Sequence, residues 1–394
     1  MSELIDADAG TGPGAVAPAD TSTPSMPAGT KLLIVLSALG AGGAERVVTA
    51  LANHWRQRGV DVAIATFEAP GAKSFYPLHP GLRIHRLGLP AARLALGGAI
   101  AQAKDRIDAL AALIRAERPA AVISFLTKIN VVTLLAAPAD VPVIVSERNN
   151  PAQQRFNAFW RAAQALTFPR AYALVAMTQG AVDAYPASQR PNATVIPNPV
   201  IIPERMERRS DGRTLTAVGR LTRQKRFDLL LDAFARIAGD HPAWRLMIWG
   251  EGEERAALEA QRDRQGLAGR VLMPGLTETP GAWLGSADAF VLASDFEGWG
   301  NVVAEAMAAG LPVVSTDCDF GPREMIEDGV SGLLVPHNDA AALARGLSRL
   351  LGDAALRARL GAAAKERAAA FALPLVAHRW ETLIAAAIAA PRGD

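Results

Sequence analysis

Short aliphatic runs alternate with longer amphipathic stretches from residue 31 onward. The run at 31–37 (KLLIVLS) is apolar on both faces, and residues 44–58 repeat apolar positions at helical spacing. The same alternation predicts further strands at 62–67, 82–87, 121–125, 143–147 and 174–178, with helices between most of them. Because strands that are apolar on both faces belong to parallel sheets covered by helices, the pattern predicts an α/β fold.

The alternation stops at residues 196–203 (IPNPVIIP), where three prolines in eight residues oppose both helix and central strand. We place the linker between two domains at this stretch and the polar residues 204–213 that follow it, after which the alternation resumes. Strands are then predicted at 214–219, 245–249, 271–273, 289–292, 312–315 and 333–335, and helices at 227–238, 253–265 and 374–390. The chain is therefore expected to form two doubly wound, Rossmann-like domains that face a cleft, at 31–200 and 201–373.

Composition narrows the class of protein. The 394 residues suit two domains, and 41 Lys and Arg against 39 Asp and Glu argue against a globally basic nucleic-acid-binding surface. A single cysteine, Cys318, excludes a disulfide framework and fits a reducing compartment. No uncharged apolar run reaches 18 residues, so no membrane-spanning helix is expected.

The first 30 residues are rich in Ala, Gly, Pro, Ser and Thr, with four acids and no Lys or Arg. A signal or transit peptide needs basic residues, so neither is predicted. We expect a disordered tail, for which a regulatory role stays open.

The first turn of the first domain (GAGGAE, 40–45) places Gly42 and Gly43 between a strand and a helix. Glycines there let the backbone approach an anion at the helix N-terminus. The third glycine of a dinucleotide fingerprint is replaced by Glu45, although Glu68 after the second strand is suited to a ribose. Tight packing of the turn is the alternative interpretation.

The first turn of the second domain (GRLTRQKR, 219–226) is strongly basic. Arg220, Arg223, Lys225 and Arg226 follow a strand whose carboxyl end is a typical ligand site. Guanidinium and ammonium groups bind phosphate oxygens, so the turn is a candidate phosphate site. A solvated basic loop is the alternative.

Two further turns of the second domain carry candidate chemistry. A glycine turn (WGEGE, 249–253) contains Gly252, which allows a ligand close to the backbone. After the strand at 289–292, a loop with Glu297 and Gly298 leads into a helix expected to be capped by Asn301. Free N–H groups at residues 301–303 suit a diphosphate, and Glu305 in the second turn suits a ribose diol. In the alternative interpretation, Glu297 and Glu305 are solvent-facing acids with no role in ligand binding.

The stretches 219–234 and 296–312 resemble the retaining glycosyltransferases of family 4, which have the two-domain GT-B fold. Their motif is a pair of glutamates separated by seven residues after a Gly-Arg…Lys turn. The resemblance extends to residues 42–45, 146–150 and 321–326, covers the chain from residue 31 onward, and is strongest to enzymes of polyprenyl-linked oligosaccharides, lipopolysaccharide cores and exopolysaccharides. It also leads us to expect that residues 374–394 pack back on the first domain.

The resemblance implies a role for each matching residue. Arg220 and Lys225 would bind the donor diphosphate and stabilise the leaving nucleotide, and Glu297 would contact the transferred sugar. The implied donor-binding residues are Glu305 at the ribose, Leu276 near the nucleobase, and Gly298, Asn301, Val302, Gly219 and Gly252. The implied acceptor or cleft residues are Gly42, Gly43, Glu147, Arg148 and Asn149. Arg148 stands where many relatives carry a histidine.

The resulting prediction is a retaining transferase. It would move a hexose or N-acetylhexosamine from a nucleotide-sugar, UDP-linked by preference or GDP-mannose, to a lipid-linked or cell-surface polysaccharide acceptor. No cofactor, no metal and no nucleic-acid partner are expected, and the pattern Asp317-Cys318-Asp319 is too short to indicate a metal site. A nucleotide-sugar epimerase of the same fold and a non-catalytic nucleotide-binding assembly protein remain alternatives.

A lipid-linked acceptor implies a cytoplasmic protein that associates peripherally with the inner face of the cytoplasmic membrane. The expected contact is residues 154–170 (QRFNAFWRAAQALTFPR), which combine arginines with Phe156, Phe159, Trp160 and Phe168. In the alternative, these rings belong to the core.

Overall fold

A computed structural model describes residues 26, 29–90, 96–203, 210–277 and 279–391. Most of the predicted tail, residues 1–25 and 27–28, lies outside the described residues. Met26 is described, and it is buried in the core of the first domain. At this position the expectation of a disordered tail is wrong, because the apolar Met26 side chain is buried in the core that also contains Trp55.

The first domain is built on a seven-stranded parallel sheet in the order β3-β2-β1-β4-β5-β6-β7. Its strands are β1 (Lys31–Leu36), β2 (Asp61–Thr66), β3 (Arg83–Arg86), β4 (Ala121–Phe125), β5 (Val143–Ser146), β6 (Ala173–Ala176) and β7 (Thr194–Val195). Its helices are α1 (Gly43–Gln57), α2 (Leu96–Glu117), α3 (Thr127–Ala136), α4 (Ala158–Thr167) and α5 (Gln179–Asp183). Aliphatic side chains from both faces of the sheet form two cores under these helices.

The second domain repeats this architecture with a six-stranded parallel sheet in the order β10-β9-β8-β11-β12-β13. Its strands are β8 (Thr214–Val218), β9 (Arg245–Trp249), β10 (Val271–Gly275), β11 (Ala289–Leu292), β12 (Val313–Asp317) and β13 (Leu333–Pro336). The remaining helices are α6 (Phe227–Ile237), α7 (Arg255–Arg264), α8 (Asn301–Ala308), α9 (Pro322–Met325), α10 (Ala340–Gly352), α11 (Ala354–Ala368) and α12 (Leu373–Ala389). The predicted pair of Rossmann-like sheets is confirmed.

Helix α12 lies against the first domain although it follows the second in sequence. Val376, Trp380 and Ile384 are buried in the same core as Trp55. The Trp380 ring lies 6.1 Å from that of Phe125, between ring centroids. The chain therefore closes the first domain only after it has completed the second.

Both sheets reverse their strand order between neighbouring strands, β1 and β4 in the first and β8 and β11 in the second. Loops diverge at such a point, and ligands of open α/β sheets bind in the crevice that results. The turns at 40–45, 219–226 and 295–300 follow β1, β8 and β11. Topology therefore brings the three candidate turns to the carboxyl ends of the two sheets.

Candidate active site

A cleft of about 560 Å³ lies between the two domains at these turns. Its first-domain wall comes from the start of α1, the turn before α3 and the loop after β5, and its second-domain wall from the turns after β8 and β11. The predicted residues that line it are Gly43, Arg148, Asn149, Gly219, Arg220, Lys225, Glu297, Gly298, Asn301 and Val302.

Glu297 and Lys225 form a largely buried ion pair in the cleft. Lys225 Nζ donates to Glu297 Oε1 at 2.6 Å, and Ser294 Oγ donates to the same oxygen at 2.6 Å. Only 7% of the Glu297 side chain and 15% of the Lys225 side chain are exposed. Both donors use Oε1, so Oε2 of Glu297 has no hydrogen-bond partner among the described residues and is available to a ligand hydroxyl.

The four cations of the basic turn separate into two pairs. Arg220 and Lys225 line the cleft, and Arg220 is exposed there without an ion pair to any described residue. Arg223 and Arg226 line a different pocket, where each lies beside an acid of the second domain. The pair in the cleft is the one for which the sequence resemblance implies diphosphate binding.

Helix α8 begins at the cleft without a side-chain cap. Gly300 is the N-cap residue, with a left-handed φ of +86°, and no side chain bonds the first turn. The prediction that Asn301 caps the helix is wrong, because the chain turns one residue earlier at a position that only glycine adopts readily. The Asn301 Oδ1 instead accepts from Asn198 Nδ2 at 2.9 Å. The Val303 N–H donates to the Gly300 carbonyl oxygen at 2.9 Å, so of the predicted free N–H groups at 301–303 only those of Asn301 and Val302 are without a partner among the described residues. These two groups and the helix dipole make this end attractive to an anion.

Glu305 lies beneath the cleft rather than on its surface. Its side chain is 4% exposed, and its Oε1 accepts from Nη1 of Arg46, on α1 of the other domain, at 2.5 Å. Nη2 of Arg46 donates to the carbonyl of Ile201, also at 2.5 Å. Burial raises the pKa of Glu305 to about 7, and the guanidinium of Arg46 opposes this rise. One arginine thus joins the first domain, the linker and the second domain.

Two glycines allow the domains to meet closely. A Cβ on Gly43 would lie 3.1 Å from the side-chain Nδ2 of Asn301, and one on Gly298 would lie 3.2 Å from the backbone carbonyl oxygen of Arg148. Larger side chains would push the two walls of the cleft apart. Gly42 differs, because the Glu45 carboxylate folds back over it at the start of α1.

Two predicted donor residues stand beside the cleft. Gly252 packs on the basic turn, where an added Cβ would lie 2.3 Å from the Leu221 carbonyl oxygen. Leu276 is 73% exposed and lines a smaller pocket that also includes Gly219 and Arg220. The structure therefore gives Gly252 a packing contact and leaves Leu276 open to a ligand.

Glu147 is inside the first domain and does not line the cleft. It is 1% exposed, and its two oxygens accept from Thr127 Oγ1 and Asn130 Nδ2, both at 2.8 Å. Burial raises its pKa to about 7. The expectation that Glu147 is a cleft residue is therefore wrong, because its side chain turns inward after β5 and bonds the start of α3.

Arg148 is also buried, although part of it borders the cleft. Its guanidinium lies 5.5 Å and 5.4 Å from the ring centroids of Phe125 and Trp380. Nη1 donates at 2.9 Å to Asn198, which in turn donates to Asn301 at the start of α8. Burial lowers the Arg148 pKa to about 9. This residue therefore connects the first domain to the helix end that faces the cleft.

Sequence reasoning missed Arg46 and Asn198. Arg46 directly follows the quoted turn at 42–45, but nothing in its spacing shows that it reaches Glu305 across the cleft. Asn198 lies in the proline-rich stretch interpreted as a linker, where irregular backbone conceals its contacts. The only sequence feature that marked Asn198 was its position as a polar residue between two prolines.

Both aspartates of the Asp317-Cys318-Asp319 pattern lie beside an arginine. Arg323 Nε donates to Asp317 at 2.7 Å, and its Nη1 lies 3.8 Å from Asp319. No group of three or more potential metal ligands is found among the described residues.

The segment predicted to contact a membrane is only partly exposed. Phe159 is 49% and Leu166 is 76% exposed on α4, whereas Phe168 is fully buried. Trp160 packs partly against the core. The prediction is wrong for Phe168, because the chain turns inward to β6 at this point. Within the described residues, no helix has the length and apolar character needed to cross a bilayer.

Comparisons with known proteins find glycosyltransferase domains over most of the chain. A family model described as a glycosyl transferase 4-like domain matches residues 42–199, and one described as glycosyl transferases group 1 matches residues 201–367. An exopolysaccharide phosphotransferase of Streptomyces coelicolor is 34% identical over 64% of this chain, and the match covers 27% of that relative. The chain spans less than half the length of the first three curated relatives it matches.

A second relative aligns along nearly its whole length. It is a GalNAc-α-(1→4)-GalNAc-α-(1→3)-diNAcBac-PP-undecaprenol α-1,4-N-acetyl-D-galactosaminyltransferase of Campylobacter jejuni, 27% identical over 90% of this chain and 98% of the relative. Among solved structures, HepE of Anabaena in complex with UDP-glucose superposes with a TM-score of 0.72 at 21% identity, over 90% of this chain and 99% of that one. That likeness establishes the shared GT-B fold. With both halves matched to glycosyltransferase domains, the chain belongs to the family 4 glycosyltransferases.

Proposed function

We propose that this protein transfers a sugar from a nucleotide-sugar to an acceptor hydroxyl with retention of anomeric configuration. The observation that carries the proposal is the convergence of Arg220, Lys225 and the uncapped end of α8 on the cleft that contains Glu297. A hexose or N-acetylhexosamine is the transferred group. A UDP-sugar is the preferred donor, and GDP-mannose is the alternative donor.

Charge on the departing nucleotide is the main chemical problem of this reaction. As the bond to the sugar breaks, negative charge grows on the diphosphate and positive charge grows on the sugar ring. Arg220, Lys225 and the first-turn N–H groups of α8 stabilise the diphosphate from fixed positions, an effect that does not require a metal ion. Glu297, beside Lys225, lies where it can bond sugar hydroxyls through Oε2.

No covalent nucleophile is needed in this scheme. The acceptor hydroxyl attacks from the face that the nucleotide leaves, and the departing phosphate accepts its proton. Closure of the two domains aligns the groups and excludes water. The short distance between the cleft walls at Gly43 and Gly298 supports such closure.

The acceptor is a lipid-linked or cell-surface saccharide in this proposal. The Campylobacter jejuni relative has a PP-undecaprenol-linked saccharide in its name, and the exposed Phe159 and Leu166 on α4 provide an apolar surface on the domain that would bind it. The protein would then work at the inner face of the cytoplasmic membrane as a peripheral protein.

Incubation with radiolabelled nucleotide-sugars, with and without a membrane extract, tests the function. We expect label in an organic-extractable or polymeric product only when the extract is present. Conversion of the free nucleotide-sugar to its epimer would contradict the proposal, as would binding of nucleotide without any turnover across a panel of donors and extracts.

A further inference from the structure

A second cavity of about 490 Å³ opens beside the cleft on the first domain. It shares Leu126 and Asn149 with the cleft, so the two cavities are adjacent. We call it the side pocket, and its defining residues are Phe67, Arg106, Leu126, Lys128, Asn149 and Phe156. The predicted donor residues do not line it.

The walls of the side pocket are largely apolar, although Ser37, Glu68, Thr127 and Asn149 also contribute to them. Phe67 comes from the loop after β2, Phe156 precedes α4, and Ile129 lies in the first turn of α3. An apolar pocket of this size accommodates a hydrocarbon chain of moderate length. A saccharide alone would leave these walls without matching contacts.

Two cations at the side pocket lack acidic partners. Arg106 bonds the Leu89 carbonyl oxygen through Nε and Nη2, at 2.9 and 2.7 Å, and its guanidinium lies 5.1 Å from the Phe67 ring centroid. Lys128 Nζ lies 5.4 Å from the Trp160 ring centroid. Neither forms an ion pair with a carboxylate of the described residues, so both are available to an anion. The Glu68 carboxylate also lines the side pocket, and its Oε2 has no hydrogen-bond partner among the described residues, so the lining carries two cations and one acid. Apolar walls with this net positive charge complement an amphiphile whose apolar chain carries a phosphate group.

Helix α4 follows the side pocket along the chain. Phe156 lines the side pocket, and the exposed Phe159 and Leu166 follow on the next turns. The side pocket therefore adjoins both the donor cleft and the segment that leads into this apolar helix. A saccharide attached to a phosphate and then to a long apolar chain has one part for each of these three neighbouring features.

We propose that the side pocket binds the phosphate and the first apolar units of a polyprenyl-phosphate-type acceptor, with Arg106 and Lys128 as the phosphate-binding residues. This inference rests on the proposed function, and it selects lipid-linked acceptors over free polysaccharide. Arg106 and Lys128 act in recognition of the acceptor and lie outside the donor site.

Binding of farnesyl diphosphate to the full chain tests the inference without turnover. Titrations are made in saturating UDP, so that the diphosphate site of the donor is occupied, with inorganic diphosphate and farnesol as comparison ligands. We expect farnesyl diphosphate to bind at least about tenfold more tightly than either fragment, because both parts of the pocket are used.

The paired variant Arg106→Gln with Lys128→Gln should weaken farnesyl diphosphate binding by about tenfold or more, on the scale of losing charge-assisted hydrogen bonds. The matched control is Lys104→Gln with Arg115→Gln, which removes the same charge from exposed positions of α2. Both variants should bind UDP as the wild type does.

Three results would overturn the inference while leaving the proposed function intact: equal binding of farnesyl diphosphate and inorganic diphosphate, equal binding of farnesyl diphosphate and farnesol, or the same affinity loss in the control. A wild-type protein that binds no UDP and transfers no sugar would instead refute the proposed function. A Phe156→Ser variant separates the two parts of the pocket, because it should weaken binding of farnesyl diphosphate and leave that of inorganic diphosphate unchanged.

Discussion

Replacement of Arg46 by methionine should make the stability of this protein depend on pH above neutrality. The change removes the guanidinium that bonds Glu305 from the other domain but keeps an unbranched apolar side chain in place of the arginine stem. A buried carboxylate that loses its partner typically costs about 3–5 kcal/mol if it stays ionised. Glu305 can avoid part of this cost by taking up a proton.

The direction of the pH dependence follows from the pKa of Glu305 in the folded and unfolded states. Burial raises the pKa of Glu305 from 4.5 to about 7, so the folded state keeps a proton that the unfolded state loses between these values. The free energy of unfolding of the wild type therefore falls as pH rises through this window and no longer depends on Glu305 above it. Without Arg46 the folded pKa rises further, and the fall continues at about 1.4 kcal/mol per pH unit. Between pH 6.5 and 8.5, the variant should lose about 2 kcal/mol more than the wild type.

Equilibrium urea unfolding at these two pH values measures the effect. The control is a double variant, Arg46→Met with Glu305→Gln, in which no carboxyl group remains to titrate and the additional pH dependence should vanish. If Arg46→Met loses the same free energy at both pH values, Glu305 is not a buried group that depends on Arg46 for its charge.

Other predictions concern the chemistry and the surface. Lys225→Ala should lower turnover by about 10²-fold or more at a temperature where the variant is folded, because it removes a stabiliser of the leaving diphosphate. It should also lower the melting temperature, because the largely buried Glu297 loses its ion-pair partner. Arg223→Ala, in the same turn but 91% exposed, is the matched control, and equal turnover losses would argue against a specific role for Lys225. Glu297→Gln should reduce sugar transfer and leave UDP affinity nearly unchanged in a calorimetric titration; a large loss of affinity would place Glu297 at the nucleotide instead. Chelation of divalent metal should leave transfer intact, and activity that returns only with manganese would contradict this. The paired variant Phe159→Ser with Leu166→Ser should lose binding to anionic liposomes at an unchanged melting temperature, whereas a large fall in that temperature would assign both side chains to the core.

The sequence was most informative for strands and turns, whose positions depend mainly on neighbouring residues. Strands β4, β9 and β11 lie at the predicted residues, because apolar runs between polar turns have few alternatives in a domain whose sheet is covered by helices on both faces. The two-residue strand β7 was not predicted, since so short a segment carries no periodicity. The candidate turns also followed from the sequence, because glycines and basic residues at strand ends have few structural uses.

Contacts between distant parts of the chain were beyond sequence reasoning. Asn301 is a good capping residue by type, yet Gly300 before it takes the cap position through its backbone conformation. Glu305 was placed by helical spacing, but its partner Arg46 lies 259 residues away in sequence. Glu147 follows a buried strand, and only the tertiary structure shows that its carboxylate turns inward to α3.

The return of α12 to the first domain has a consequence for biosynthesis. A chain that emerges from the ribosome can complete the second domain while the first still lacks Val376, Trp380 and Ile384 from its core. Until then Phe125 and Trp55 remain partly uncovered, and Arg148 lacks one of its two flanking rings. Removal of residues 373–389 should therefore yield a nascent protein that binds chaperones and aggregates through its first domain, even though every residue of both sheets is present.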